Sequence, residues 1–297
     1  MKISFETGEN YGISKFAEVK EITYNSGKKL IKEYERRSIQ DFPTKRISKD
    51  EYVIKETGEI CEYVKSECKT ADNIKKCLKE KVKPILENNF FGGKSEIFVT
   101  LTYSKDMNDF KQLSSDFKEF WRRIIRKYKG KHRLACVYVK EMQQKRKSWH
   151  IHALIKDLDG NKLYIPNETM GLIWKKGFTS VSRVLSGLDL DYREMNEEKK
   201  MEENFFIQNE RWNINKIIDY MCKLKTKEGE IPASGRIYGI KGGLKPPSKR
   251  IKRYDDVMKE IKDTHRLVKD ETLLIRNKET NCIINHIHTQ TFIEKKK

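Results

Sequence analysis

From residue 97 to residue 184 the apolar residues change period in the order strand, helix, strand, strand, helix, strand. Few folds accommodate that succession. Glu96-Ile97-Phe98-Val99-Thr100-Leu101-Thr102-Tyr103 has the β-branched and aromatic content of a strand. Asp109 to Lys129 carries Phe110, Leu113, Phe117, Phe120, Trp121, Ile124 and Ile125 on one face of a helix. Leu134 to Glu141 reads as a second strand, Gln143 to Lys147 as a polar, basic turn, and Ser148 to Ile155 as a third strand. Asn167 to Lys176 reads as a short helix closed by Gly177, and Phe178 to Val184 as a fourth strand. This order predicts an α+β fold of the split βαβ kind, an antiparallel sheet with helices on one face. In that topology the first and third strands are central neighbours.

The flanking sequence divides the chain into three. Residues 1–70 form an N-terminal, β-rich extension, with Glu51-Tyr52-Val53-Ile54 and Ile60-Cys61-Glu62-Tyr63-Val64 placed around Thr57-Gly58 as a hairpin. Residues 71–250 hold the predicted sheet and its helices. The first helix carries Ile74, Leu78, Val82 and Leu86 at four-residue spacing, and Pro84 marks a kink or stop in it. Residues 187–210 are acidic and polar and read as a loop; Asn213 to Lys227 reads as a helix. Residues 251–297 form a basic tail, with helical periodicity from Tyr254 to Arg276.

The chain has 63 Lys and Arg against 44 Asp and Glu over 297 residues, a formal charge of +19. Such a balance favours a polyanionic partner, because each neutralised phosphate releases condensed counterions. A lysine-rich composition of the source genome would give the same charge without one. No apolar run approaches the roughly 18–20 residues that span a bilayer, and Met1-Lys2-Ile3-Ser4-Phe5-Glu6 lacks the apolar stretch of a signal peptide. The expectation is a cytoplasmic protein with no membrane partner. Cys61, Cys68, Cys77, Cys136, Cys222 and Cys282 show neither a Cys-x-x-Cys pair nor a regular framework, and read as reduced thiols.

Chemistry concentrates on the third strand. His150 and His152 lie two apart, so on a strand they share a face and Ile151 takes the other. They can share one divalent ion, or simply be strand histidines satisfied by hydrogen bonds. Glu141 ends the strand that enters this one by a hairpin, which brings its carboxylate close to His150. Two imidazoles and a carboxylate suit Mn²⁺ or Mg²⁺ with positions left open. On the late helix, Tyr220 and Lys223 are three apart and share a face. A tyrosine hydroxyl is a usable nucleophile when its target is polarised, and a lysine one turn away can position a phosphate.

These segments, in this order, resemble the HUH endonucleases, specifically the rolling-circle replication initiators of small plasmids and single-stranded DNA phages. The resemblance rests on Phe98-Val99-Thr100-Leu101-Thr102-Tyr103, on Glu141-Met142-Gln143-Gln144-Lys145-Arg146 ahead of His150-Ile151-His152, on Tyr220-x-x-Lys223, and on Gly235-Arg236-Ile237-Tyr238-Gly239. It covers roughly residues 71–245. It implies a nickase in which His150, His152 and Glu141 hold the metal and Tyr220 becomes linked to the 5′ phosphate. The released 3′ hydroxyl would prime a host polymerase on single-stranded or supercoiled origin DNA, and Lys223 would assist.

DNA contacts are expected from Lys145, Arg146 and Lys147, from Arg123 and Arg126 at the end of the long helix, and from Arg236. Arg122, Lys127, Lys245, Lys249, Arg250, Lys252 and Arg253 are further candidates, and Trp149 or Tyr238 could stack on an unpaired base. Thr100 and Thr102 share strand parity but are assigned no catalytic role. Lys216 and Leu224 flank Tyr220 on its helical face, so the site carries a single tyrosine, and Asp219 points off that face. Termination would then need a second subunit's Tyr220, hence a homodimer, or a carboxylate from elsewhere.

Gly92-Gly93-Lys94-Ser95 lacks the earlier glycine of a phosphate-binding loop, so unwinding falls to a host helicase. His286-Ile287-His288 has no downstream companions and reads as structural. Within the same chemistry, a mobilisation relaxase or single-strand transposase is the alternative, although a relaxase would bring a third histidine. Outside it stands a noncatalytic, RRM-like nucleic-acid-binding module. Against that module, the strands show no aromatic pair placed for stacking.

Overall fold

The computed structural model describes residues 3–9, 12–34, 44–63, 69–143, 146–186, 213–223, 231–232, 234–277 and 281–295. The loop expected over 187–210 therefore lies outside the described residues. Two compact units share the chain: Ser66–Pro246, and Met1–Lys65 together with Pro247–Lys297.

The first strands belong to the second of these units: β1 (Ile3–Gly8), β2 (Glu18–Thr23), β3 (Lys29–Tyr34), β4 (Thr44–Arg46), β5 (Glu51–Ile54) and β6 (Ile60–Glu62). β5 and β6 pair antiparallel around Thr57-Gly58 and, with β4, make a three-stranded sheet.

In the Ser66–Pro246 unit, α1 (Ala71–Cys77) starts at Thr70, whose hydroxyl accepts from the Asn73 amide at 3.2 Å. A π-helical turn over Leu78–Val82 joins it to α2 (Lys83–Asn89), and Pro84 stands in the first turn of α2. Proline has no N–H to continue the preceding ladder, so the expected break falls there as a widened turn. β7 (Gly93–Tyr103) follows, and then α3 (Phe110–Lys127), capped by the Asp109 carboxylate. The rest are β8 (Leu134–Gln143), β9 (Ser148–Asp157), α4 (Asn167–Trp174), β10 (Gly177–Val184), α5 (Ile214–Cys222) and β11 (Tyr238–Lys241).

The sheet runs β10-β7-β9-β8-β11, antiparallel throughout. This is an α+β, split βαβ fold with β7 and β9 central. β11 is added at the edge. There Gly239 opposes Tyr138, and a Cβ would meet the Tyr138 ring at 2.4 Å.

α3 and α4 cover the face that carries Trp149, Ile151 and Ala153. Phe110 packs edge-on against Trp149 at 5.0 Å and Tyr103 against Trp174 at 5.1 Å. The opposite face carries Phe98, Thr100, Thr102, Glu141, His150 and His152, and receives α5 through the contact of Phe98 with Tyr220. One buried core of aliphatic and aromatic residues links the two faces.

Gly177 does not close α4. Lys175 does, in the left-handed conformation at φ 60°. Gly177 instead opens β10 at φ 156°, pressed so closely on β7 that a Cβ would lie 2.3 Å from the Ser104 nitrogen and 2.4 Å from the Thr102 oxygen. Both obstacles are backbone and cannot rotate away. Gly177→Ala is expected to cost roughly 2–4 kcal/mol in urea unfolding. A loss inside experimental error would show that β10 can shift without penalty.

The chain then completes the other unit with β12 (Ser248–Arg253), α6 (Tyr254–Ile261), β13 (His265–Asn277) and β14 (Ile283–Glu294). The tail expected to be helical to Arg276 is helical only to Ile261 and continues as strand. Its sheet is β1-β13-β14-β3-β2-β12, so the N-terminal extension and the tail, separate in the sequence reading, share one sheet. Val257 and Ile261 of α6 pack with Val19, Ile31 and Phe292 beneath it. His288 of the second His-x-His is buried in this sheet, its Nε2 2.5 Å from the Asp270 carboxylate.

Candidate metal and nucleophile site

The hairpin of β8 and β9 sets the first part of the site. Its register places Glu141 directly opposite His150, and Val139 opposite His152. Cross-strand partners point to the same side of a sheet, so Glu141, His150 and His152 converge. Glu141 Oε2 lies 3.0 Å from His152 Nε2 and 3.7 Å from His150 Nε2. The two Nε2 atoms are 2.9 Å apart. Among the described residues these three form a group that could hold a metal ion, with donor atoms within 4.8 Å of one another.

The donor set fits a divalent cation. Two ligand bonds of about 2.0–2.1 Å meeting at a right angle separate their donor atoms by about 2.9 Å, which is the separation of the two imidazole nitrogens. Glu141 and His152 are both buried. A buried carboxylate needs positive charge or donors close by to offset its desolvation, and here its close neighbours are two imidazoles that face it through Nε2.

β7 holds His152 in place. Thr100 pairs with His152 across the strands, and its Oγ1 is 3.1 Å from His152 Nδ1. With the proton on Nδ1, the ring donates to Thr100 and turns the Nε2 lone pair toward the cluster. Phe98 stacks on the same imidazole at 5.7 Å and 11°. Thr100 and Phe98 are thus positioning residues, and only their strand parity was available in the sequence. Thr100→Val keeps the shape and deletes the acceptor. Mn²⁺ affinity by calorimetry is expected to fall about 10- to 100-fold; an unchanged affinity would mean that packing alone orients the ring.

α5 delivers the nucleophile candidate. Asn213 caps it, accepting from the Asn215 amide at 2.8 Å, and Ile214, Ile217, Ile218 and Met221 bury its inner side. Tyr220 then lies over the cluster, with its hydroxyl 3.2 Å from His152 Nε2 and its ring edge-on to Phe98 at 6.3 Å. Asp219, on the other side of the helix, pairs with Lys83 at 2.8 Å. Burial pulls the Lys83 ammonium down, but the Asp219 carboxylate outweighs it and holds it above its ordinary value.

Lys223 differs from expectation. The helix ends at Cys222, and Lys223 is the cap, with extended backbone at φ −76° and ψ 127° and an exposed side chain. It therefore does not continue the helical face of Tyr220. Lys140, next to Glu141 in sequence, points to the α3 side of the sheet, 4.2 Å from the Phe110 ring centre. Burial lowers its ammonium to about 8.

The expected DNA contacts divide into tied and exposed groups. Arg123 is tied: it donates to the Ile173 carbonyl at 3.2 Å and pairs with Glu119. Lys252 is held by Glu260 at 2.7 Å and Glu21 at 3.2 Å. Arg126 and Arg236 are exposed. Arg146 and Lys147 are exposed at the β8–β9 turn, Arg146 3.2 Å from Asp106. Lys145 lies outside the described residues. Trp149 is buried in the core, while Tyr238 is half-buried.

Residues 96–228 match the family model for replication-associated proteins of the ORF2 type. The match covers less than half of the chain but includes Glu141, His150, His152 and Tyr220. It supports a Rep-like protein with a role in DNA replication. No curated protein and no solved structure matches the chain. Among the described residues no helix is long and apolar enough to cross a membrane.

Proposed function

We propose that the chain is a rolling-circle replication initiator of the HUH endonuclease type, a metal-dependent nickase and strand transferase acting on origin DNA. The observation that carries this reading is the Tyr220 hydroxyl, 3.2 Å from His152 Nε2 at the rim of the Glu141–His150–His152 group. The replication-associated match over the same residues supports it.

Glu141, His150 and His152 would hold Mn²⁺ or Mg²⁺, which when bound supplies Lewis-acid polarisation of the scissile phosphate. The Tyr220 oxygen attacks phosphorus, the bond from phosphorus to the 3′ oxygen breaks, and the tyrosine proton is balanced by the proton that the 3′ hydroxyl gains. The strand remains joined to Tyr220 through its 5′ phosphate, and the free 3′ end primes a host polymerase. Because one phosphodiester is exchanged for another, the step reverses without ATP, and ends can be rejoined at termination.

Phe98 and the buried side of α5 fix the Tyr220 ring, so attack needs little reorganisation. Exposed Arg126, Arg146, Lys147 and Arg236 are suited to backbone phosphates, which position a strand without reading its sequence. Lys223, exposed at the end of α5, is suited to a phosphate beside the one attacked. A host helicase, a homodimer supplying a second Tyr220, and a cytoplasmic setting complete the reading.

The test is a denaturing gel. A labelled single strand from the replicon's origin is incubated with the chain and Mn²⁺, with and without chelator. A metal-dependent, protease-sensitive protein–DNA adduct is expected. Binding of that strand without cleavage or adduct would remove the nickase reading and leave a nucleic-acid-binding module.

A further inference from the structure

β10 is the edge strand beside β7, and its register is unbroken from Gly177 to Arg183. Phe178 pairs with Thr102, and Thr102 pairs with His150, which pairs with Glu141. These four side chains therefore form one cross-strand row on one face of the sheet. Thr179, the next residue of β10, faces the other way and donates to Asn167 of α4. Phe178 is 67% exposed. Ser180, which pairs with Thr100, is exposed beside it.

A single exposed apolar residue is ordinary. A phenylalanine near the end of an open edge strand is a liability that proteins blunt with charge or proline, and here it stands in the row of the metal-binding group. Two strand spacings of about 4.8 Å put it roughly 10 Å from His150 along that row. Only the small side chain of Thr102 stands between them.

The geometry points to Phe178 as a stacking platform for an unpaired base of the DNA strand that enters the site. It rests on the nucleic-acid reading above and deepens it by assigning the side from which the strand arrives, over the β10 edge. An aromatic face accepts any base, because every base has a π-face. Stacking there would hold the strand within about three nucleotide rises of roughly 3.4 Å from the scissile phosphate. A paired base within a duplex hides its face, so the platform selects single strands.

The test uses labelled oligothymidylate with chelator present, so that affinity is read by anisotropy without cleavage. Phe178→Ala is expected to weaken binding about 5- to 140-fold, and Phe178→Trp to stay within about threefold of wild type. A duplex of equal length should bind all three proteins alike. A 2-aminopurine placed in the oligothymidylate should lose its stacking-dependent quenching in Phe178→Ala and keep it in Phe178→Trp. Equal oligothymidylate affinity of wild type and Phe178→Ala, an equal loss on duplex, or no single-strand binding by wild type would each overturn the proposal. The adduct gel is independent: a chain that nicks but is indifferent to Phe178 loses only the platform. One that binds through Phe178 yet forms no adduct loses only the nickase.

Discussion

Tyr220→Phe is expected to lower single-turnover nicking by on the order of 10⁴-fold or more while leaving the binding of single strands and of Mn²⁺ within a few-fold. The substitution removes one oxygen and keeps the ring. The ring stays wedged between Phe98 and His152, at 6.3 Å and 4.9 Å between centres. Losing the hydroxyl contact to His152 should cost about 1 kcal/mol of stability at most, so the variant folds and the kinetic loss can be attributed to chemistry. The adduct band should vanish along with the nicked product. Nicking that persists with a covalent adduct would move the nucleophile to another residue. Nicking without any adduct would mean that water attacks and that Tyr220 only lines the site.

Glu141→Gln should weaken Mn²⁺ binding by about 100-fold or more, read by calorimetry. The amide nearly matches the carboxylate in shape, so the β8–β9 register that sets Glu141 against His150 should survive. What it loses is the negative charge, and with it the oxygen that lies 3.0 Å from His152 Nε2. Nicking should fall in parallel and recover in part at raised Mn²⁺, because His150 and His152 remain. An unchanged affinity would exclude Glu141 from the ligand set and leave the two histidines to bind alone.

Much of the central sheet was legible because its signals are local. The period of Phe110 to Ile125 defines α3, and the spacing of His150 and His152 settles their common face. A short hairpin puts Glu141 within reach of His150. What was not legible depends on contacts distant in sequence. Thr100 and Phe98 became supports of His152 only once β7 lay beside β9. The row from Phe178 to Glu141 needs three registers at once. Lys223 was misread because periodicity continues past the point where the backbone leaves the helix.

His265–Asn277 shows loose helical spacing of Val268 and Ile275, yet pairing with β1 and β14 on both sides makes it a strand. Strand formation depends on partners more than on intrinsic preference, and those partners lie far away in the chain. Arg123 looked available because no sequence rule announces that a backbone carbonyl, that of Ile173, will take its guanidinium.

The six-stranded sheet has a consequence for how the chain comes off the ribosome. β1, β2 and β3 are made first, but β1 has its ladder partner in β13 and β3 has one of its two in β14, more than two hundred residues later. Contacts at such separation form slowly, after a large loss of chain entropy. The stretch from β7 to α5 has all of its sheet partners within itself and β11, and can fold while the tail is still being synthesised. The natural order of assembly is therefore the reverse of the order of synthesis: the middle matures first, and the beginning of the chain waits for its end.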